Sequence, residues 1–355
     1  MKPDRLHLLI ELLKSLITVP SFSKEESGTA DLISAFLNDH GIVHNRHLNN
    51  VWAVNRHFSP EKPTLLLNSH HDTVKPNPGY TRDPFKPEVS DGKLFGLGSN
   101  DAGGALVSLT GAFVSLYERS DLPVNLVLAA TAEEEISGKN GIEALWPMLP
   151  QPDFAIVGEP TLLEAAIAEK GLMVLDCVVE GKAGHAAREE GINAIYQTLP
   201  DIEWFKAFQF PKISETLGPV RMNVTVIQAG QAHNQIPAVC NFTVDVRITD
   251  AYRMEELLDL IRQNVRCSVT PRSMRMRPSS IELTHPLTRA VLMTGSKPYG
   301  SPTTSDRGLI PVPSVKIGPG DSARSHAADE FIFVEEIEAG VKKYLEIIQN
   351  LSETL

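Results

Sequence analysis

Apolar positions along this chain follow two rhythms. Leu6, Leu9, Leu12, Leu13 and Leu16 fall three and four residues apart, which predicts a helix over 5–19, and 29–37 repeats that spacing. Short, nearly unbroken apolar runs follow at 51–54, 64–67, 124–130, 154–157 and 315–317. Such runs suit strands covered on both faces, as in a mainly parallel sheet. Between them a helical stripe carries Ala105, Leu106, Leu109, Ala112, Phe113 and Leu116 on one side. Strands and helices in this succession predict an α/β fold, a mainly parallel sheet flanked by helices.

The rhythm changes after about Glu169. Residues 172–180 alternate, 222–228 and 239–248 read as strands, and 193–208 and 254–265 read as helices. A further strand is expected after the basic stretch 272–277. The order β-α-β-β-α-β predicts a ferredoxin-like α+β unit. The expected organisation is therefore one domain from 1–169 and 283–355, with a second inserted over 170–282. A length of 355 residues is consistent with roughly two domains.

Charge and cysteine content narrow the chemistry. With 33 basic and 44 acidic residues the chain carries a net charge of −11, a poor match to phosphate backbones, so no nucleic-acid partner is expected. The basic run 272–277 reads as a solvated loop or strand edge. Cys177, Cys240 and Cys267 are odd in number and far apart, which suits buried thiols in a reducing compartment better than a disulfide framework. No apolar run is long enough to span a bilayer, and the apolar stretch near the N-terminus is broken by Glu11 and Lys14, so neither a membrane anchor nor a signal peptide is expected. These readings together make a cytoplasmic protein the expectation.

Metal-capable side chains gather just behind the predicted strands. The run at 64–67 leads into Asn68-Ser69-His70-His71-Asp72, and the run at 124–130 leads into Thr131-Ala132-Glu133-Glu134-Glu135. Gly158-Glu159-Pro160 follows 154–157, and Gly318-Pro319-Gly320 with Ser325-His326 follows 315–317. Ligands in open α/β sheets bind outside the carboxyl ends of the strands. His70 and Asp72 share one side of extended backbone, where a carboxylate can orient a metal-binding imidazole; His71 points the other way. Asp101, in Gly98-Ser99-Asn100-Asp101, reads as a helix cap, a ligand, or both. Three consecutive glutamates read either as a solvated acidic turn or as a metal ligand beside a general base. Two histidines, an aspartate and two glutamates suit a pair of divalent cations sharing a carboxylate, and the cysteines lie elsewhere, which excludes a structural zinc cage.

Taken in order, these motifs resemble those of the acetylornithine deacetylase / succinyl-diaminopimelate desuccinylase family of co-catalytic metallohydrolases, across essentially the whole chain. They are Ser69-His70-His71-Asp72-Thr73-Val74, Gly98-Ser99-Asn100-Asp101, Thr131-Ala132-Glu133-Glu134-Glu135, Val157-Gly158-Glu159-Pro160-Thr161, Ala183-Gly184-His185-Ala186, and Gly318-Pro319-Gly320 with Ser325-His326. The resemblance implies a zinc-peptidase-like catalytic domain and an inserted lid and dimerisation domain. It implies His70, Asp101 and Glu159 as ligands of one metal, Asp101, Glu135 and His326 as ligands of the other, Asp72 as the group orienting His70, and Glu134 as general acid/base. It further implies that His185 stabilises the oxyanion in the partner subunit's site, and that Asn234, Arg247 and Ser305 contact substrate. Leu97, Ala102-Gly103-Gly104 and Glu133 depart from the common family pattern, without removing a ligand or the base.

The implied activity is metal-dependent hydrolysis of an N-acyl-L-amino acid, first of all N-acetyl-L-ornithine in arginine biosynthesis, with two zinc ions and cobalt as a substitute. A desuccinylase, an acetyl-lysine deacetylase and an aminoacylase or dipeptidase are the alternatives. A succinyl group needs an extra cation, for which Lys170, Lys182, Arg188 and Arg307 are available. A catalytically silent metal-binding scaffold is the alternative of another class, and turnover of any acyl amino acid would exclude it. A homodimer formed through the inserted domain is the expected assembly.

Overall fold

A computed structural model describes residues 3–188 and 190–355. The chain divides into two compact units. The first comprises Met1–Ile167, Ser280–Tyr299 and Ser305–Leu355, and the second comprises Ala168–Ser279 and Gly300–Thr304.

The main sheet of the first unit runs, in spatial order, through His44–His47, Asn50–Val54, Asn125–Thr131, Thr64–His70, Phe154–Val157, Ser314–Lys316 and Ala165–Glu169. The four strands from Asn125–Thr131 to Ser314–Lys316 pair in parallel, and the flanking pairs are antiparallel. Alternate residues of each central strand feed two separate cores. Leu65, Leu67, Leu126, Leu128 and Ile156 pack with helices Pro3–Thr18, Ser27–Asp39, Gly104–Leu116 and Val334–Thr354. Leu66, Val127, Ala129, Ala155 and Val157 pack on the other face with Ile142, Leu145 and Ile310. With both faces dry, the middle of these strands is apolar, which is why the central runs read as nearly unbroken apolar sequence. Polar side chains return only where the strands end.

The second unit is a four-stranded antiparallel sheet in the order Arg221–Ala229, Val239–Ile248, Gly171–Glu180, Ser268–Pro271. Helices Ala194–Ala207 and Met254–Asn264 share a core with Leu175, Cys177, Cys240, Phe242, Val244 and Val246 on one face, which gives Gly171–Glu180 its alternation. The β-α-β-β-α-β order is the expected one. Its last strand is not where the sequence pattern put it. Ser268–Pro271 pairs with Gly171–Glu180 ahead of the basic run, and only the two-residue Ser279–Ser280 follows that run. Four residues ending in proline carry too little alternation to be read as a strand. All three cysteines are buried and free. No helix among the described residues is long and apolar enough to cross a membrane.

Candidate metal centre

His70 closes the buried strand Thr64–His70. Its Nδ1 lies 3.0 Å from the backbone oxygen of Asp72 and 3.4 Å from Asp72 Oδ1. Both are acceptors, so Nδ1 carries a proton and donates. The other nitrogen, Nε2, is buried without a hydrogen-bond partner among the described residues. It faces Asp101 Oδ1 at 3.4 Å, Glu159 Oε1 at 3.7 Å and Glu134 Oε2 at 3.9 Å. An orphaned imidazole nitrogen among carboxylate oxygens fits a cation ligand. The adjacent histidine is committed elsewhere. His71 Nε2 meets the Asn49 carbonyl at 2.9 Å, Nδ1 meets the Thr29 hydroxyl at 2.8 Å, and burial pushes its pKa down to about 4.

Asp101 lies between strand and helix, and it is not a cap. The helix Gly104–Leu116 has Gly103 at its N-cap, and the preceding turn Ser99–Gly103 breaks at Asp101, whose φ of −116° and ψ of 98° are extended. That break turns the carboxylate away from the helix start toward the histidines. Gly98 makes the turn possible: its φ is +75°, and a Cβ there would stand 2.6 Å from Thr73 Cγ2.

The glutamate triplet is not a solvated turn. Glu133 is buried at φ +56°, and its carboxylate accepts the backbone and side-chain N–H groups of Asn140 at 3.2 and 2.8 Å. Asp72 Oδ1 accepts the Glu134 N–H at 3.0 Å, and Asp72 Oδ2 accepts the Glu135 N–H at 3.1 Å. This leaves Glu134 and Glu135 with separate neighbours. Glu134 stands by His70, whereas both carboxylate oxygens of Glu135 lie within 3.2 Å of His326 Nε2. His326, with its side chain 55% exposed, also comes within 3.7 Å of Asp101 Oδ2. Two ligand groups result, His70–Asp101–Glu159 and Asp101–Glu135–His326, each with one ligand atom per residue within 4.8 Å of the others. Asp101 belongs to both.

The electrostatics reinforce this arrangement. Burial pushes Glu134 well above the ordinary carboxylate range, helped by Glu159, Asp306 and Glu135 and opposed by His70. Burial pulls His70 down, but Asp101 and Asp72 outweigh it and hold the imidazole well above its usual pKa. The hydrogen bond to Glu135 raises His326 to about 9. The carboxylates of Asp72, Asp101, Glu134, Glu135 and Glu159 gather around these two imidazoles, a concentration of negative charge that divalent cations would neutralise.

Two further buried carboxylates stand around this cluster. Glu330 accepts the backbone N–H groups of Gly98, Asn100 and Asp101 at 3.0, 2.8 and 2.9 Å, and burial with the Asp101 charge raises it to about 8. Asp306, the last residue of Thr304-Ser305-Asp306, accepts the Asn68 amide at 2.9 Å and the Thr131 hydroxyl at 2.7 Å, and burial raises it too. Asp306 lies in the Thr304-Ser305-Asp306 motif, whose resemblance implied a substrate loop, and the only signal for Glu330 was its place four residues after His326.

The remaining expected residues have local settings of their own. Ser305 is buried, and its hydroxyl accepts the Arg307 N–H at 3.4 Å at the start of the short turn Asp306–Gly308. Within the second unit, His185 pairs with Gln235 in register, and the Asn234 carbonyl accepts the Ala186 N–H at 3.0 Å. Arg247 forks onto Asp245 at 2.8 and 3.1 Å and donates to the Thr304 hydroxyl at 3.1 Å. Arg307 is no spare cation for an acyl pocket: it is fully buried and donates to Ala166 O, Ile167 O and Ser314 Oγ. Lys170 is buried and donates to Pro219 O.

Comparison with known proteins agrees with this geometry. A protein of Pyrobaculum aerophilum, provisionally named a LysW-lysine/LysW-ornithine hydrolase, is 31% identical over 303 residues, covering 81% of this chain and 82% of its own. Acetylornithine deacetylase of Proteus mirabilis is 27% identical, covering 98% of this chain and 97% of its own. A dinuclear metal-binding peptidase from Bacillus subtilis shares the fold, with a TM-score of 0.76 at 16% identity over 99% of each chain. The description of peptidase family M20/M25/M40 matches residues 66–350, and the chain, a metallohydrolase with the ligand groups such an enzyme needs, belongs to that family.

Proposed function

We propose that this protein hydrolyses the amide bond of an N-acyl-L-amino acid, N-acetyl-L-ornithine foremost, releasing L-ornithine and acetate as a cytoplasmic step of arginine biosynthesis. The observation that carries the reading is the pair of ligand groups sharing Asp101, with Glu134 beside them and bound to neither. In this reading His70, Asp101 and Glu159 hold one divalent cation, and Asp101, Glu135 and His326 hold the other. Zinc suits these nitrogen and oxygen donors, and cobalt can replace it. Such a pair activates water near neutral pH and polarises a carbonyl. Glu134 takes the proton of the attacking water and returns it to the leaving amine. Asp72 keeps the His70 proton on Nδ1, so that Nε2 offers its lone pair to the cation.

By the resemblance, His185 donates to the oxyanion in the partner subunit's site, and Asn234, Arg247 and Ser305 contact substrate. Arg247 still has N–H groups to offer a carboxylate once Asp245 and Thr304 are served. A homodimer through the second unit is supported by its edge strand Arg221–Ala229, which has no partner on its outer side among the described residues. Exposed Tyr196, Leu199, Val226 and Ile227 lie on that strand and on helix Ala194–Ala207. A second reading, cleavage of LysW-linked ornithine or lysine, is favoured by the 31% identity to the Pyrobaculum protein and releases the same kind of amine product.

The test is kcat/KM for N-acetyl-L-ornithine against N-succinyl-L-ornithine, with metal-loaded protein and a chelated control. The reading predicts a chelator-sensitive preference for the acetyl compound. Preference for the succinyl compound would make the protein a desuccinylase, against this reading.

A further inference from the structure

Glu330 is a buried carboxylate, 2% exposed, and the hydrogen bonds that hold it in place come from backbone. Three amides converge on it: Oε2 takes the Gly98 N–H at 3.0 Å, and Oε1 takes those of Asn100 and Asp101 at 2.8 and 2.9 Å. Its own backbone oxygen takes a fourth N–H, from Gly96, at 3.0 Å. Because the turn Ser99–Gly103 is broken at Asp101, its amides cannot all be satisfied within a helix, and a buried unpaired N–H would be costly. Glu330 thus sets where the Asp101 backbone sits.

The same glutamate lies four residues after His326. That segment is tied down elsewhere as well. The Asn77 side chain donates to the His326 carbonyl at 3.1 Å, and Asn100 exchanges two hydrogen bonds with the backbone of Asp321, both at 3.0 Å. The loop bearing Asp101 and the segment bearing His326 are therefore braced against each other, with Glu330 as the most heavily bonded link. His70 and Glu159 are positioned differently, by the parallel ladder of Thr64–His70 with Phe154–Val157.

We propose that Glu330 is a positioning residue that holds the Asp101 loop and the His326 segment as one piece, so that the cation at Asp101–Glu135–His326 depends on it more than the cation at His70–Asp101–Glu159. The proposal rests on the reading that these two groups bind metal. Outer groups of this kind typically govern affinity by about 10- to 100-fold.

The experiment measures zinc stoichiometry and stepwise affinity by calorimetry on stripped wild-type protein, Glu330→Ala, Glu330→Gln and Asp329→Asn, with circular dichroism to verify the fold. Asp329 is the control from the same segment, since its carboxylate binds Thr81 and Arg82 and not the Asp101 loop. Expected is one zinc at wild-type affinity and a second weakened at least about 10-fold in Glu330→Ala, less in Glu330→Gln, which keeps the side-chain shape and one acceptor oxygen, and little change in Asp329→Asn. If Glu330→Ala does not fold, Glu330→Gln decides. Two wild-type affinities in Glu330→Gln, or an equal loss in Asp329→Asn, would overturn the proposal. Wild-type protein that binds no zinc would instead overturn the metal reading beneath it.

Discussion

Asp72 receives N–H groups from Glu134 and Glu135 at 3.0 and 3.1 Å and the Ser23 hydroxyl at 2.6 Å, while its backbone oxygen takes the His70 proton. One residue thus shapes the acidic turn and sets the imidazole tautomer, and the turn keeps Glu134 near His70 while Glu135 goes to His326. Glu134→Gln preserves the bulk and the backbone bond to Asp72 but cannot accept the water proton. Its expected effect is a fall in kcat of about 10²- to 10⁴-fold with zinc content unchanged. Near-normal turnover in a variant that still binds metal would remove Glu134 from its role. The residues brought together here were legible in the sequence because each follows an apolar run or sits in a short motif. Glu330 was not. It reads as one more acidic residue, and its partners lie about 230 positions earlier in the chain.

The same contrast holds among elements. The central strands were readable because two dry faces demand continuous apolar sequence, whereas Ser268–Pro271 was missed because it is short and ends in proline. The break at Asp101 was also hidden, since Asp before a helical stripe looks like a cap and only the fold turns it inward. Another helix start is pH-sensitive. His285 Nδ1 accepts the Leu287 N–H at 3.1 Å and caps Pro286–Leu292, and burial holds its pKa below the ordinary value, against the charge of Glu282. The cap needs the neutral ring. In the unfolded chain the imidazole takes up its proton near pH 6.5, so as pH falls below that value the unfolded state binds more protons and this stability is lost. His285→Asn accepts the same bond at every pH. From pH 8 to 5 the wild-type urea midpoint should fall relative to the variant's, as the wild-type protein loses a cap contribution of about 1 kcal/mol that the variant keeps. Parallel midpoint curves would contradict this account of the cap.

At the scale of the whole molecule, the first unit buries a polar, acidic cluster at the ends of strands whose flanks are otherwise apolar. A cluster of carboxylates stays buried at a cost unless a metal ion shares the site. Membership of the M20/M25/M40 family makes that ion pair the central claim. The direct measurement is turnover of the fastest acyl amino acid found as zinc is titrated into chelator-stripped protein. The account predicts no activity without metal, a rise on titration, and saturation of binding at two equivalents. Full activity in the stripped protein, or tight binding of a single ion however much zinc is added, would contradict it.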